Sequence, residues 1–367
     1  MTLVDALRAR CHARVPSRRR RYLRRDHDVL GRSTARARRV AVCTTLGMAL
    51  GMALGMALGA QGTPVTPRSA RVAGDRGRAP AAPNELGRIP VLEYHLVGDR
   101  DSRWSRSRER FLEDLDRLYR RGYRPVTVAD LVDRKLDLPA GLSPVVFTFD
   151  DASPGQFSYV ERGGALVPDP RSALGIWLEF SRRHPDWGPR ATFCLLPAAD
   201  HGHAFFGDKG IAGQRTEWRF PKLRFLVEQG FELCSHTLWH ARLSKYGDAL
   251  VREQIGRAQM AIDSAVPGYR VRTFAYPLGE RPRNRALAYA GEYRDPRSGR
   301  VVRWKHDGVL EVAGGAARSP HDPAFNPLSI PREQVVGNSL ERLLDRIEAE
   351  RYVSDGDPKR VARPGPR

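Results

Sequence analysis

Two short stretches of the chain hold residue types that could do chemistry together. VVFTFDDAS, Val145 to Ser153, runs an apolar, strand-like segment into two adjacent carboxylates, Asp150 and Asp151, with no Lys or Arg among the following ten residues. Burying unpaired carboxylates is costly, so a strand that ends this way implies a partner elsewhere in the chain. SHTLWH, Ser235 to His240, follows the apolar run FELC and supplies two imidazoles at i and i+4. On a helical turn after a strand, that spacing lets two rings approach one cation, and two neutral imidazoles with a carboxylate are an ordinary zinc ligand set. Metalloproteases of the HExxH type share the spacing but need Glu after the first His as general base; Thr237 stands there. Taken alone, His236 and His240 could be two unrelated surface histidines. The strand-terminal Asp pair weighs against that.

The elements that must position these residues alternate along the chain. Strand-like IPVLEYH (89–95), VVFTFDD (145–151), ATFCLLP (191–197), FELCSHT (231–237), RTFAYP (272–277) and GVLEV (308–312) are interleaved with amphipathic stretches. Those stretches predict helices over 111–122, 172–184, 220–230, 247–265 and 338–351. Repeated strand-helix alternation predicts an α/β fold with mainly parallel strands, open or closed into a barrel. In such folds, ligands bind where the C-terminal strand ends converge. His95, Asp150, Asp151 and His236 all stand at predicted strand ends, and RTFAYP opens into Leu278 and Gly279.

Composition bounds the rest. The 367 residues carry 41% hydrophobic and 8% aromatic residues, which excludes wholesale disorder, and a net charge of +20 that is unevenly spread. Residues 1–60 hold 13 Arg against three acidic residues, leaving 49 basic against 39 acidic in the remainder. Arg runs such as SRRRRYLRR could suggest phosphate binding, but VAVCTTLGMALGMALGMALGA (40–60) follows with 21 uncharged residues. The expectation is a positive-inside flank plus a signal peptide or membrane anchor, with the chain beyond it exported to the cell envelope or outside. No nucleic-acid partner is expected, and no membrane contact except through the apolar segment. Residues 61–88, rich in Pro, Gly, Ala and Arg, predict a disordered linker, 89–351 a single catalytic domain, and 352–367 a disordered tail. Cys11 and Cys43 fall in the targeting region. Cys194 and Cys234 lie in apolar strand-like runs and are expected as buried thiols, with a disulfide open to them in an oxidising compartment; they are not a zinc site.

TFDD and SHTLWH resemble the first two motifs of the polysaccharide deacetylase family, the NodB-like carbohydrate esterases. The resemblance spans about Ile89 to Arg351 in strand order, with long inserts at roughly 152–188 and 198–219. It implies a distorted TIM-like (β/α) barrel and one divalent metal ion held by Asp151, His236 and His240. Zinc is the first choice, and cobalt and nickel accept the same ligands. It also implies that Asp150 is the general base toward the attacking water. The doubled carboxylate then has a reason, because adjacent strand residues point in different directions and can take two tasks.

FAYPLG (274–279) is similar to the family's third motif. The resemblance gives the Leu278 backbone amide the oxyanion and Tyr276 a place in the substrate cleft. Ala275 stands where many members have the Arg that orients the base, and Arg332 is the candidate replacement. The last motif, Leu-x-His, is absent from NPLSIPRE (326–333). In this the chain resembles the branch that includes poly-N-acetylglucosamine deacetylases, where a Tyr-His pair on the first strand lies near the site. Tyr94 is then expected to contact substrate and His95 to protonate the leaving amine, with His306 and His321 as alternative acids. The implied activity is removal of N-acetyl groups from an N-acetylhexosamine polymer, cell-wall glycan or exopolysaccharide. The alternatives are an O-acetyl esterase on the same fold and a glycan-binding protein whose site has drifted.

Overall fold

The structure is a computed structural model and describes residues 82–199 and 204–363. The basic flank, the apolar segment 40–60 and most of the expected linker lie outside the described residues. No helix among the described residues is long and apolar enough to cross a membrane.

Eight strands build one curled sheet: β1 (Val91–Tyr94), β2 (Tyr123–Val126), β3 (Ser143–Asp150), β4 (Thr192–Leu195), β5 (Glu232–Ser235), β6 (Thr273–Ala275), β7 (Gly308–Leu310) and β8 (Glu333–Gln334). The spatial order is β7-β6-β5-β4-β3-β1-β8, with β2 paired to the first half of β3, and every pairing is parallel. The expected α/β fold with mainly parallel strands is what the chain adopts. Parallel strands covered on both faces read as continuous apolar runs, and all eight residues of β3 are buried. Alternation sorts the side chains. Val91, Val146, Cys194, Cys234, Ala275, Leu310 and Ile330 share an inner cluster, whereas Leu92, Tyr94, Phe147, Phe149, Phe193 and Leu233 face outward into the layer under the helices.

That outer layer is closed by α1 (Arg108–Arg120), α3 (Ala173–Arg183), α4 (Arg219–Gln229), α5 (Asp248–Ala265) and α6 (Ser339–Ile347), while the short α2 (Val128–Val132) packs Val128 and Leu131 on the inner cluster. In α1, Phe111, Leu115 and Leu118 recur at helical spacing and are buried, and the Ser107 side chain caps the N-terminus by accepting from Arg110 N–H. The segment Ile330–Gln334 bridges the sheet's two edges. Ile330 N–H donates to Val309 O and Glu311 N–H to Ile330 O, both at 2.8 Å, while Glu333 and Gln334 pair with Leu92 and Glu93 of β1.

Several elements differ from expectation. β2 reads YRPV and β8 is a two-residue pairing, neither of which carries an apolar period, and both were absent from the predicted series. The hairpins 159–168 and 290–305 lie in polar or mixed sequence. Ordered chain extends past both expected domain edges. Asn84 pairs with Val353, Glu85 is buried, and Tyr352 to Ser354 are buried against the start of β3. Ser143 Oγ donates to Tyr352 O at 2.5 Å, and Ser354 N–H to Leu142 O at 2.9 Å. The expected linker and tail therefore begin contributing backbone partners at 84 and 352, positions where composition alone reads as unstructured.

Candidate active site

At the C-terminal end of β3 the chain leaves the strand abruptly. Asp150 is the last strand residue and points inward; Asp151 and Ala152 take left-handed backbone angles (φ 76° and 49°), which swings the Asp151 carboxylate away from that of Asp150. Two carboxylates thus face different partners because the backbone turns, and simple strand alternation is not the cause. The amide of Gln156, fully buried, donates to Asp150 O at 2.5 Å and also to His95 O, tying the ends of β1 and β3 together.

SHTLWH is a loop rather than the helical turn expected from its spacing, with left-handed residues at Thr237 (φ 68°) and His240 (φ 64°). Its backbone is pinned from three sides: His236 N–H to Leu195 O, Trp239 N–H to Gln254 Oε1 of α5, and Ala198 N–H to Leu238 O. The result brings the His236 and His240 rings to 5.0 Å between centroids. Asp151 Oδ1 lies 3.5 Å from His236 Nε2 and 3.6 Å from His240 Nε2.

These three residues offer one ligand atom each within 4.8 Å of one another. The His236 Nδ1 sits 2.9 Å from the Ala275 carbonyl, which can only accept, so Nδ1 carries a hydrogen and Nε2 is the nitrogen turned to Asp151. Asp151 Oδ1 is buried with no hydrogen-bond partner. A carboxylate oxygen in that state beside two imidazole Nε2 atoms fits a divalent transition metal such as zinc. Burial works against the charged form of Asp151, but His236 and the neighbouring imidazoles outweigh it and hold the carboxyl well below its ordinary value. Burial and the nearby His236 push His240 down to about 4, leaving its ring neutral at ordinary pH.

Asp150 meets a different partner. Arg332, wholly buried on the segment between β7 and β8, grips it bidentately, Nη1 to Oδ1 at 2.9 Å and Nη2 to Oδ2 at 2.8 Å. The same guanidinium donates to Thr148 Oγ1, to the Glu311 carbonyl, and to Glu93 Oε1 at 3.2 Å. Burial raises the Asp150 carboxyl, but Arg332 and His236 outweigh it and keep it below its ordinary value, so it is an ionised proton acceptor. Arg332, the candidate for the role of the Arg missing at Ala275, lies against Asp150.

His95, just past β1, lies with Asp150 and Glu93 in a second tight group, its Nε2 3.5 Å from Glu93 Oε1 and its ring edge-on to Trp104. Burial lowers its pKa, and Asp150 and Asp151 oppose that. The rival acids are elsewhere. His306 is buried against Ala288 O and stacked on Phe274 in the outer layer, and His321 lines a cavity of about 110 Å³ with Glu85 and Tyr352 at the opposite end of the strands.

Two expected substrate contacts do not reach the site. Tyr94 faces outward by alternation and donates its hydroxyl to Asp114 at 3.0 Å among Phe111, Phe147 and Phe149. Tyr276 packs against Phe274 in an outer cluster with Leu287, Trp304 and Val309. Both side chains point away for the same reason: neighbours of inward residues 93, 95 and 275 must point out. Leu278 does occupy a turn beyond β6, half-exposed at 52% with φ 57°, an uncommon backbone for Leu. The residues not anticipated are Glu93 and Gln156. The signal for Glu93 was present, an acid inside an apolar strand run; Gln156 left none.

Residues 190–293 match the family model described as polysaccharide deacetylase. The match takes in SHTLWH and FAYPLG and begins after the Asp150-Asp151 pair. No curated protein matches the chain. Among solved structures, the chain is similar to the deacetylase PplD of Streptococcus pyogenes (16% identity, TM-score 0.48, 72% of this chain and 99% of that one). It is also similar to BC0361, a polysaccharide deacetylase from Bacillus cereus (17%, 0.49, 71% and 69%), and to IcaB from Ammonifex degensii (18%, 0.45, 72% and 98%).

Proposed function

From a chain that carries a polysaccharide deacetylase segment at residues 190–293, we propose an exported, metal-dependent hydrolase that removes N-acetyl groups from an N-acetylhexosamine polymer. The observation that carries this reading is the convergence of two separate groups at one end of the sheet. One is Asp151, His236 and His240, suited to a cation; the other is Asp150 clamped by Arg332, suited to a proton.

A divalent ion held by the first group would supply Lewis acidity toward an acetyl carbonyl and an attacking water. Asp150 then takes the water's proton, and Arg332 fixes both carboxylate oxygens so that only their orientation toward the water remains to be set. The turn at Leu278 is the candidate for a backbone amide facing the developing oxyanion. His95 gives a proton to the departing nitrogen. Trp104 (46% exposed) and Trp239 (37%) stand beside His95 and His240, and offer apolar faces to sugar rings. Export is supported by the apolar segment 40–60 and by Cys194 and Cys234, which form a disulfide on the inner face of the curled sheet instead of the expected buried thiols, a bond that persists in oxidising compartments.

The test is metal analysis of the purified protein followed by acetate release from N-acetylglucosamine oligomers and from acetylxylan. One equivalent of metal and release from the oligomers is the expected result. Release from acetylxylan alone would make it an O-acetyl esterase, and metal binding without release from either would leave a glycan-binding protein.

A further inference from the structure

Positive charge is concentrated in one stretch outside the groups described above. Residues 281–305 hold eight basic residues against two acids, a net +6, whereas the whole of 61–367 carries 49 against 39, a net +10. The stretch follows the Leu278 turn and folds as a short turn, Arg285–Ala288, then an antiparallel hairpin of Ala290–Arg294 and Val301–Lys305. Alternation gives the hairpin two unlike faces. Tyr293, Val302 and Trp304 turn inward. The Trp304 indole N–H donates to Leu287 O at 2.9 Å, and Gly256 of α5 is bare where a Cβ would come within 2.3 Å of Tyr293. Glu292, Arg294, Arg303 and Lys305 turn outward and are exposed. The whole stretch lies along α5. Asn284 Nδ2 donates to Asp248 Oδ2 at 2.8 Å at the start of that helix, Arg252 Nη1 to Glu292 O at 3.2 Å further on, and Arg300 pairs with Asp263 near its end.

The two acids do not cancel this charge. Glu292 pairs with Arg303 at 2.8 Å, and Asp295 folds back on its own turn, accepting from Ser298 N–H at 3.0 Å and Ser298 Oγ at 2.5 Å. Arg283, Arg285 and Lys305 are exposed with no carboxylate partner among the described residues. Arg294 donates to the Gly299 carbonyl at 3.1 Å, a neutral group that leaves its charge uncompensated. Resting on the deacetylase reading above, we propose that this face binds anionic groups of the glycan that carries the acetylated sugar, so that the substrate is a polymer bearing carboxylate or phosphodiester groups. Seven of the eight basic residues are Arg, whose planar fork matches the oxygens of both anions. The loop that presents Arg283 and Arg285 begins at the site: Glu280 in it accepts from Arg242, just past His240, at 2.9 Å. A polymer held on this face is thereby held beside the rim of the site. A membrane surface fits less well, because interfacial binding joins basic groups to exposed apolar ones, and none of the exposed large apolar side chains among the described residues falls in 281–305. The same feature removes the stacking platforms that single-stranded nucleic acid uses.

The test measures binding of the full chain to hyaluronate oligosaccharides (carboxylate), poly(glycerol phosphate) (phosphodiester) and neutral N-acetylglucosamine oligomers at low and at physiological salt. Wild type should bind at least one anionic polymer about 10-fold or more tighter than the neutral oligomers, and the preferred anion assigns the charged group of the substrate. The variant Arg283→Ser/Arg285→Ser/Arg294→Ser/Lys305→Ser should weaken that binding about 10-fold or more and flatten its salt dependence, while acetate release from the neutral oligomers stays within about 2-fold of wild type. Each half of it, Arg283→Ser/Arg285→Ser and Arg294→Ser/Lys305→Ser, should give part of the loss. A control that removes the same charge elsewhere, Arg120→Ser/Arg171→Ser/Arg182→Ser/Arg190→Ser, should bind as wild type does. A wild type without preference for either anionic polymer, or a control that loses as much as the variant, would overturn the proposal. So would tighter binding to phosphatidylglycerol vesicles, which would make the face a membrane contact, or to duplex DNA. If wild type releases acetate from none of the glycans, the deacetylase reading fails, while the binding comparison still decides whether this face takes an anionic glycan.

Discussion

Asp150 and Glu93 are two carboxylates under one guanidinium, and the environment separates them. Arg332 binds both oxygens of Asp150 and holds it ionised, whereas burial drives Glu93 toward its protonated form against the opposing pull of Arg332, which meets only one of its oxygens. That difference has a consequence for stability. Glu93 has a folded value near 8 against an ordinary value of 4.5, so between those limits the folded protein holds a proton that the unfolded chain has released. Stability is therefore highest below about 4.5 as far as this group is concerned, and falls as pH rises toward 8, by up to about 1.4 kcal/mol per pH unit. Chemical denaturation at pH 6 and pH 8 should show wild type losing more stability over that interval than Glu93→Gln. A parallel loss in both proteins would mean that Glu93 does not titrate in this range.

The loops that carry the site are set by the elements behind them. The chain after Asp151 is held by Phe206 N–H on Ala152 O at 2.7 Å, and Lys222 of α4 donates to Phe206 O and Gln214 Oε1. Gln214 in turn bonds both backbone groups of Tyr159, so the two long inserts brace each other and the turn that aims Asp151. Gly155 lets this turn pass close to the segment beyond His95, since a Cβ there would lie 2.1 Å from Val97 O. Gly155→Ala should shift the loop against β1, cost about 1–3 kcal/mol, and lower amide turnover about 10-fold or more, with stability and kinetics measured on the same preparation. Unchanged kinetics would show that the loop position does not matter to the site. The motif-bearing strands and helices were legible because their apolar period is strong, and so were Asp150, Asp151, His236 and His240. The side of the strand was the point of failure: Tyr94 and His95 cannot both face inward, and alternation selects Glu93 with His95. Gln156 and the inserts' mutual bracing lay beyond sequence reasoning because they depend on contacts between segments up to 61 residues apart without a periodic signal.

Across the whole described molecule, the first and last segments meet at the end of the strands opposite the site. Asn84 N–H donates to Val353 O at 2.8 Å, Tyr352 N–H to Arg88 O at 2.9 Å, and Gly141 N–H to Ser354 O at 2.8 Å. Ending the chain at Arg351 would remove buried Tyr352 and these bonds. The loss expected is about 3 kcal/mol or more, seen as a lower melting temperature with metal ligands intact. A melting temperature equal to that of the full chain would mean that residues 352–367 contribute nothing to the fold. The segment Ile330–Gln334 spans the gap between β7 and β1 and also delivers Arg332 to Asp150, a partner 182 residues earlier. During synthesis from the N-terminus, Asp150, Asp151, His236 and His240 are all made before Arg332, which arrives 92 residues after His240. At ordinary elongation rates that interval is roughly 5–20 s. Under the proposed function, a nascent chain would have made all three candidate cation ligands before Arg332, the partner of Asp150, is added. If the proposed function holds, a chain terminated before Arg332 should lose turnover more completely than it loses metal binding, measured on the same preparation.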